Sequence, residues 1–332
     1  MKKIGFIKVE GFLQRNMPWF ILLVICGIFA IFTDSFLAPR NLINILNQSS
    51  YVIIAAIGIS LIMMSGALDL STGYQMSLIG VIAGIMLSSQ RLPILLIIAL
   101  TLLLGVLLNV ANAYIAHKLS LSLLMVTVGT MNIFQGLSYT ISDAKVISNF
   151  PKAFKFLGQG YIGPVPFPII LTLVLFLVMN FFLTRTYWGR YVYALGGNVE
   201  ASRLAGINVL RIKLMIATIA GILVGISTLM LISRLGTAQS SAGPGTEFTV
   251  ITGVLVGGVS IRGGEGRLSG VVAGILIMAI LANGMQMASL GVYAQFIVKG
   301  LIMLLAIGFD VMQMQRRQRV SRLRHQRNKT EA

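Results

Sequence analysis

The chain has 332 residues, 56% of them hydrophobic and only 11% charged, and its mean hydropathy is +0.89. A soluble domain carries about 25% charged residues, so a water-soluble fold is excluded. The formal net charge of +17 follows from the positive-inside rule without invoking nucleic acid, and the single cysteine, Cys26, excludes an intrachain disulfide or a cysteine metal site.

Apolar runs near the bilayer-spanning length recur from end to end and lack the period-2 alternation of a membrane barrel. The expected fold is all-α, a polytopic transmembrane helical bundle. Lys2, Lys3 and Lys8 precede the first apolar run, 17–32, much as a signal n-region would. No small-x-small cleavage site follows, so 17–32 is expected to be a retained span behind a cytoplasmic segment, 1–16. Spans two and three, 42–64 and 74–89, are separated by Ser65-Gly66-Ala67-Leu68-Asp69-Leu70-Ser71-Thr72-Gly73. Spans four and five, 92–116 and 122–141, flank His117-Lys118. A polar, proline-bearing loop, 142–166, leads to span six, 167–183. The polar segment 184–213 comes next, then span seven, 214–232, and a small-residue break, 236–245. Span eight, 246–259, is short for a crossing. Spans nine and ten, 268–287 and 293–312, follow the segment Arg262–Arg267, and a basic tail, 313–332, closes the chain.

About ten spans put both termini on one side. With the N-terminus inside, nineteen of the 26 Lys and Arg residues fall in inner segments and six in outer ones, with Lys299 inside span ten. That bias supports N-in, C-in, with 17–312 as the transmembrane domain and 184–213 as its cytoplasmic loop. Eight full spans plus a re-entrant pair would keep the same end orientation. Asp69 and Glu247 each stand at a break, five spans apart. An odd offset would make the two units an inverted repeat with broken helices.

No P-loop, H-E-x-x-H or GxSxG with triad partners occurs, so no catalytic residue, metal site or cofactor is expected in this chain. His117 and His325 sit at a span end and in the basic tail. No acid lies in the middle of a continuous apolar run, which argues against an ion-coupled carrier. A neutral polyol needs donors and acceptors spread along a route. Candidates are Asn109, Asn112, Thr127, Thr130, Asn132, Gln135, Asn283, Gln286 and Gln295, with Asp69, Ser71 and Glu247 at the breaks. The same residue types also join membrane helices to one another.

Within 184–213, Asn198 is placed to cap a helix about two turns long, with Glu200 in its first turn and Gly206 ending it left-handed. Ala201, Leu204 and Ala205 share one face, which is expected to be buried against a docking partner or the chain's own spans.

Four segments carry a family resemblance. They are the interruption Ser65–Gly73; Val126-Thr127-Val128-Gly129-Thr130 with Gln135-Gly136; Gly189-Arg190-Tyr191-Val192-Tyr193-Ala194-Leu195-Gly196-Gly197-Asn198 with Ala201, Gly206 and Ile207; and Gly257-Gly258-Val259-Ser260-Ile261-Arg262-Gly263-Gly264-Glu265-Gly266. Together they resemble the permease subunits of bacterial ABC importers for monosaccharides, the family of the ribose, xylose, galactose, allose and autoinducer-2 permeases. The resemblance spans about 18–310. Departures fall at Ala67-Leu68, Thr72-Gly73-Tyr74, Arg262 and Ala282-Asn283-Gly284.

The resemblance implies a multi-pass protein of the bacterial inner membrane, paired with a second permease subunit. A periplasmic or lipid-anchored sugar-binding protein would deliver substrate. A cytoplasmic ABC ATPase with tandem nucleotide domains would bind the ATP-Mg. The Asn198–Ile207 helix would be the coupling helix, with Gly189, Arg190, Gly196, Gly197, Glu200, Ala201 and Leu204 in its segment. The alternatives are a branched-chain amino-acid permease of the same superfamily and an ion-coupled secondary carrier.

Overall fold

The structure, a computed structural model, describes residues 2–33, 35–291, 293–308 and 310–312, with side chains from residue 16 onward. The basic tail 313–332, with His325, and the side chains of Lys2, Lys3 and Lys8 lie outside the described residues.

Helix follows helix, as the apolar runs predict. α1 (Lys2–Phe32) is one continuous helix, longer than the expected span because it runs through Pro18 into the polar N-terminal segment. α2 (Pro39–Met64) starts with proline at its first turn, where the missing N–H costs nothing. α3 (Thr72–Ser89), α4 (Ile94–Lys118) and α5 (Leu123–Ser142) follow. The loop expected at 142–166 instead holds a short helix, α6 (Lys152–Gln159), and a hairpin of β1 (Tyr161–Ile162) and β2 (Val165–Pro166). α7 (Phe167–Arg185) leads to α8 (Tyr187–Gly197) and α9 (Val199–Leu204). α10 (Val209–Leu235), α11 (Thr246–Val256), α12 (Leu268–Met287) and a last helix, α13 (Tyr293–Met312), complete the order.

Among the described residues, seven helices are long and apolar enough to cross a membrane: α2, α3, α4, α7, α10, α12 and α13. The chain is therefore an all-α, polytopic membrane protein. The remaining expected spans differ in kind. The apolar part of α1, Asn16–Phe32, falls just short of that length. α5 has 20 residues but carries Thr127, Thr130, Asn132, Gln135 and Ser138. α11 has 11 residues, about 16 Å of helix, half a bilayer core.

α2 is the axle of the bundle. Residues 53–64 are all buried, because α7, α10, α11 and α12 pack around it. That explains a sequence with no polar stripe: a helix covered on every side is apolar on every side. α10 lies against α2 and α4. At the α4 contact the backbones touch: a side chain on Gly105 would run into the Gly221 carbonyl, and one on Gly221 into the Gly105 carbonyl.

Both breaks turn the chain back into the bundle. Gly80 of α3 lies against Thr228 and Ile232 of α10, and Gly84 against Ala238 just past its end. The chain then reverses, so that Gly243 meets Gly73 and its N–H donates to Ser77 Oγ at 3.1 Å. From Gly84 to Gly73–Ser77 is about 10–16 Å along α3, so α11 begins deep inside the molecule. The 65–71 break behaves alike. Leu70 N–H donates to Thr127 Oγ1 at 3.2 Å, and Asn112 of α4 reaches Ser71. α3 and α11 therefore start side by side in the interior.

Candidate functional site

At the start of α3, Asp69 ends the extended break. Its Oδ1 accepts from Ser71 N–H at 2.7 Å and from Ser71 Oγ at 2.6 Å, a turn in which the carboxylate replaces a backbone partner. Ser71 Oγ in turn accepts from Gln75 Nε2 at 2.8 Å and Asn112 Nδ2 at 3.1 Å. Gln75 Oε1 accepts from Asn109 Nδ2 at 2.6 Å. Every member of this chain of bonds is at most 3% exposed. The set clamps the break to α4, and Thr127 clamps it to α5. A network so fully bonded internally is a rigid structural element.

Glu247, 1% exposed in the first turn of α11, holds the second break: both of its oxygens accept from Gly245 N–H at 3.0 Å. A side chain on Gly73 would collide with Glu247 Oε2 and the Gly243 carbonyl, so only glycine lets the two helix starts meet.

The structure thus brings together Asp69, Ser71, Asn109, Asn112 and Thr127, with Glu247 across Gly73. It leaves the other candidate pathway residues apart. Thr130 is half-buried and bonds back to Thr127 O at 3.4 Å. Asn132 is exposed on α5 and bonds back to Val128 O at 3.0 Å. Asn283 sits near the far end of α12 in a reciprocal amide pair with Asn41, 3.1 Å each way, and Gln286 is exposed beyond it. Sequence reasoning missed Gln75, although its place one turn after Ser71 was the signal for it.

The second region lies at the end of α8. Thr186 caps this helix, its Oγ1 accepting from Gly189 N–H at 3.2 Å. Gly189 is buried against the Leu183 backbone, whereas Arg190 is exposed. Gly196 packs on the Met64 carbonyl and on Gly264 N, leaving no room for a Cβ. Gly264 N–H donates to Met64 O at 2.8 Å, and Gly263, at φ +83°, lies against Gly66 and Gly196. Three of the four family segments, 65–73, 189–198 and 257–266, therefore converge on one backbone junction. Tyr193 braces it, its hydroxyl donating to Gly266 O at 3.0 Å, and burial pushes that phenol up from its ordinary range, keeping it a donor. Asp310 of α13 joins by accepting from Ser260 Oγ and Ile261 N–H at 3.4 Å each.

α9 leads away from this junction. Asn198 Oδ1 accepts from Ala201 N–H at 2.9 Å, Glu200 stands in the first turn, and Gly206 has φ +81°, all as the sequence predicts. Of the two expected partners for its apolar face, the chain's own spans do not cover it. Ser202 is buried within the chain, while Ala201, Leu204 and Ala205 are exposed, Leu204 at 89%, and Ile207 is half-buried. Buried Ser202, whose Oγ bonds within the helix to Asn198 O at 2.8 Å, marks the side facing the bundle, and the apolar face points outward. Glu200 and Arg203 form an exposed pair at 3.2 Å.

A membrane bundle with paired interior breaks and a projecting capped helix fits a permease, and comparison with known proteins gives the family. The chain belongs to the family described as branched-chain amino acid transport system / permease component, whose family model matches residues 41–307. It is 35% identical to the ribose import permease protein of Haemophilus influenzae, over 91% of this chain and 95% of that one. To the Bacillus subtilis ribose import permease protein it is 33% identical, over 92% and 95%. To the xylose transport system permease protein of Escherichia coli K12 it is 32% identical, over 91% and 93%. No solved structure matches.

Proposed function

We propose that the chain is the membrane-spanning subunit of an ATP-binding-cassette importer that moves a monosaccharide or similar small polyol across the bacterial inner membrane by alternating access. The observation that carries this is full-length similarity, at 32–35% identity, to permeases named for ribose and xylose. Those relatives favour a sugar over a branched-chain amino acid, although the family description mentions the latter.

In this reading ATP is bound by a separate cytoplasmic subunit with tandem nucleotide domains, a periplasmic or lipid-anchored binding protein presents the sugar, and a second permease subunit completes the core. α9 is the coupling helix. Its exposed Ala201, Leu204 and Ala205 are the apolar face that a groove in the ATPase covers. Both termini lie in the cytoplasm, with ten membrane segments of which α11 is a half-crossing. An inverted repeat relates α2–α5 to α10–α13. The pairing of helices supports it: α10 packs on α4 as α2 packs on α12, and α10 on α3 as α2 on α11. The interior helix starts of α3 and α11, capped by Asp69 and Glu247, are then equivalent points of the two halves.

The test is uptake into proteoliposomes holding the permease with its ATPase. Sugar accumulation should require both ATP and the loaded binding protein. Accumulation driven by an ion gradient with neither present refutes the assignment. Single cysteines at Lys152 and Arg203 should label from opposite faces; labelling from one face refutes the topology.

A further inference from the structure

Two cations have no acidic partner among the described residues, although Arg234 lies within electrostatic reach of the Tyr51 phenol. Arg234 stands in the last turn of α10, and Lys299 lies six residues into α13, about 9 Å from its start. Neither side chain forms a hydrogen bond or ion pair with a described residue; the two ion pairs found there are Lys145–Asp143 and Arg203–Glu200. Both cations line one cavity of about 130 Å³ between α2, α12 and α13, at the ends of α10 and α11. Its other polar walls are Gln48, Tyr51, Thr249 and Asn283, and no Asp or Glu among the described residues borders it. Glu247, two residues from Thr249, already has both oxygens on Gly245 N–H. Asp69 is committed to Ser71 in the same way.

An unpaired charge within a membrane helix is costly unless a counter-charge or water meets it. Two of the same sign facing one space raise that cost by repulsion, and an anion between them removes it. Gln48, Thr249 and Asn283 already donate to Asn44, Gly245 and Asn41, so the charge in this space comes from the two cations, with no carboxylate among the described lining residues, and it suits a planar or tetrahedral oxyanion. The volume is about four times one water's share of the liquid, enough for a carboxylate or phosphate group but not for a large solute.

We infer that this cavity binds an anionic oxygen group, carboxylate or phosphate, between Arg234 and Lys299. The group has two sources: the head of an anionic lipid entering past α13, or an acidic small solute such as a sugar acid. The inference rests on the cavity and not on the sugar reading of the transporter.

Full-length protein in nanodiscs separates the sources. In nanodiscs with equal phosphatidylglycerol and phosphatidylcholine, native mass spectrometry should find phosphatidylglycerol retained preferentially if lipid is the source. In phosphatidylcholine-only nanodiscs at constant ionic strength, sodium phosphate or sodium gluconate should raise Tm saturably, and glucose should not, if a solute is. Either response should weaken about tenfold or more in K299Q and R234Q, and persist in R234K. No preference for phosphatidylglycerol together with no anion response overturns the site. So does either response unchanged in K299Q, which keeps the test open should R234Q fail to fold.

Discussion

Leu204→Ser separates a role in folding from a role in assembly. Leu204 is 89% exposed in α9, so truncating it removes almost no packing from the permease. Stability of the permease alone should change by no more than about 0.5 kcal/mol, the usual range for surface substitutions. If the ATPase groove buries this side chain, its transfer from water contributes about 1.5–3 kcal/mol to the complex. Loss of that term weakens assembly by about 10- to 150-fold. The measurement is affinity of detergent-solubilised permease for immobilised ATPase, beside a thermal unfolding curve of the permease alone. ATP-dependent uptake should fall with the affinity. Unchanged affinity and uptake would refute the assignment of α9 as the ATPase contact. A collapse in Tm instead would mean that the exposed face is covered within the permease itself.

Neighbouring glycines should behave oppositely. Gly196→Ala places a methyl against the Met64 carbonyl and Gly264 N, so it should cost about 1–3 kcal/mol and lower the unfolding temperature. Gly197→Ala has open space and an ordinary helical backbone, so the fold should tolerate it, and any fall in uptake would report a lost partner contact. At the interior break, Asp69→Ala leaves the Ser71 N–H and hydroxyl unpaired, at about 1–3 kcal/mol for each, and folded yield should drop. Asp69→Asn keeps an oxygen in the Oδ1 position and should retain most of that yield. Fluorescence size-exclusion profiles and uptake, measured together, check this: normal yield with abolished uptake would mean that the charge acts in transport.

Much of the molecule was legible in local signals. The ends of α2, α3, α4, α7 and α12 fall within a few residues of the expected spans, because apolar length and Pro or Gly punctuation are local properties. The caps of α9 were equally plain, since Asn198 and Gly206 act on backbone only a few residues away. The direction of its apolar face was not. Ala201, Leu204 and Ala205 at i, i+3, i+4 say that a face exists, but what lies opposite depends on how distant parts of the chain seat the helix. α6 and the β1–β2 hairpin were hidden in a stretch too short and polar to carry a periodic signal. The polar clamp required knowing that Asn109 and Asn112, more than 30 residues from Gln75 and Ser71, return beside them. Asp69 and Ser71 were identified as pathway candidates; their bonds show that they also hold a helix start.

The meeting of Gly66, Gly196, Gly263 and Gly264 has a mechanical meaning. Contacts between side chains have slack, since a rotamer change can absorb a small displacement before anything else moves. Backbone resting on backbone has none. A shift of α8 has no side chain at this point to yield, so it passes at nearly full amplitude to the end of α2 and the break that leads to Asp69. The four glycines thus act like a bearing without clearance, and a single methyl group added there would act less as a cavity filler than as a wedge in a linkage.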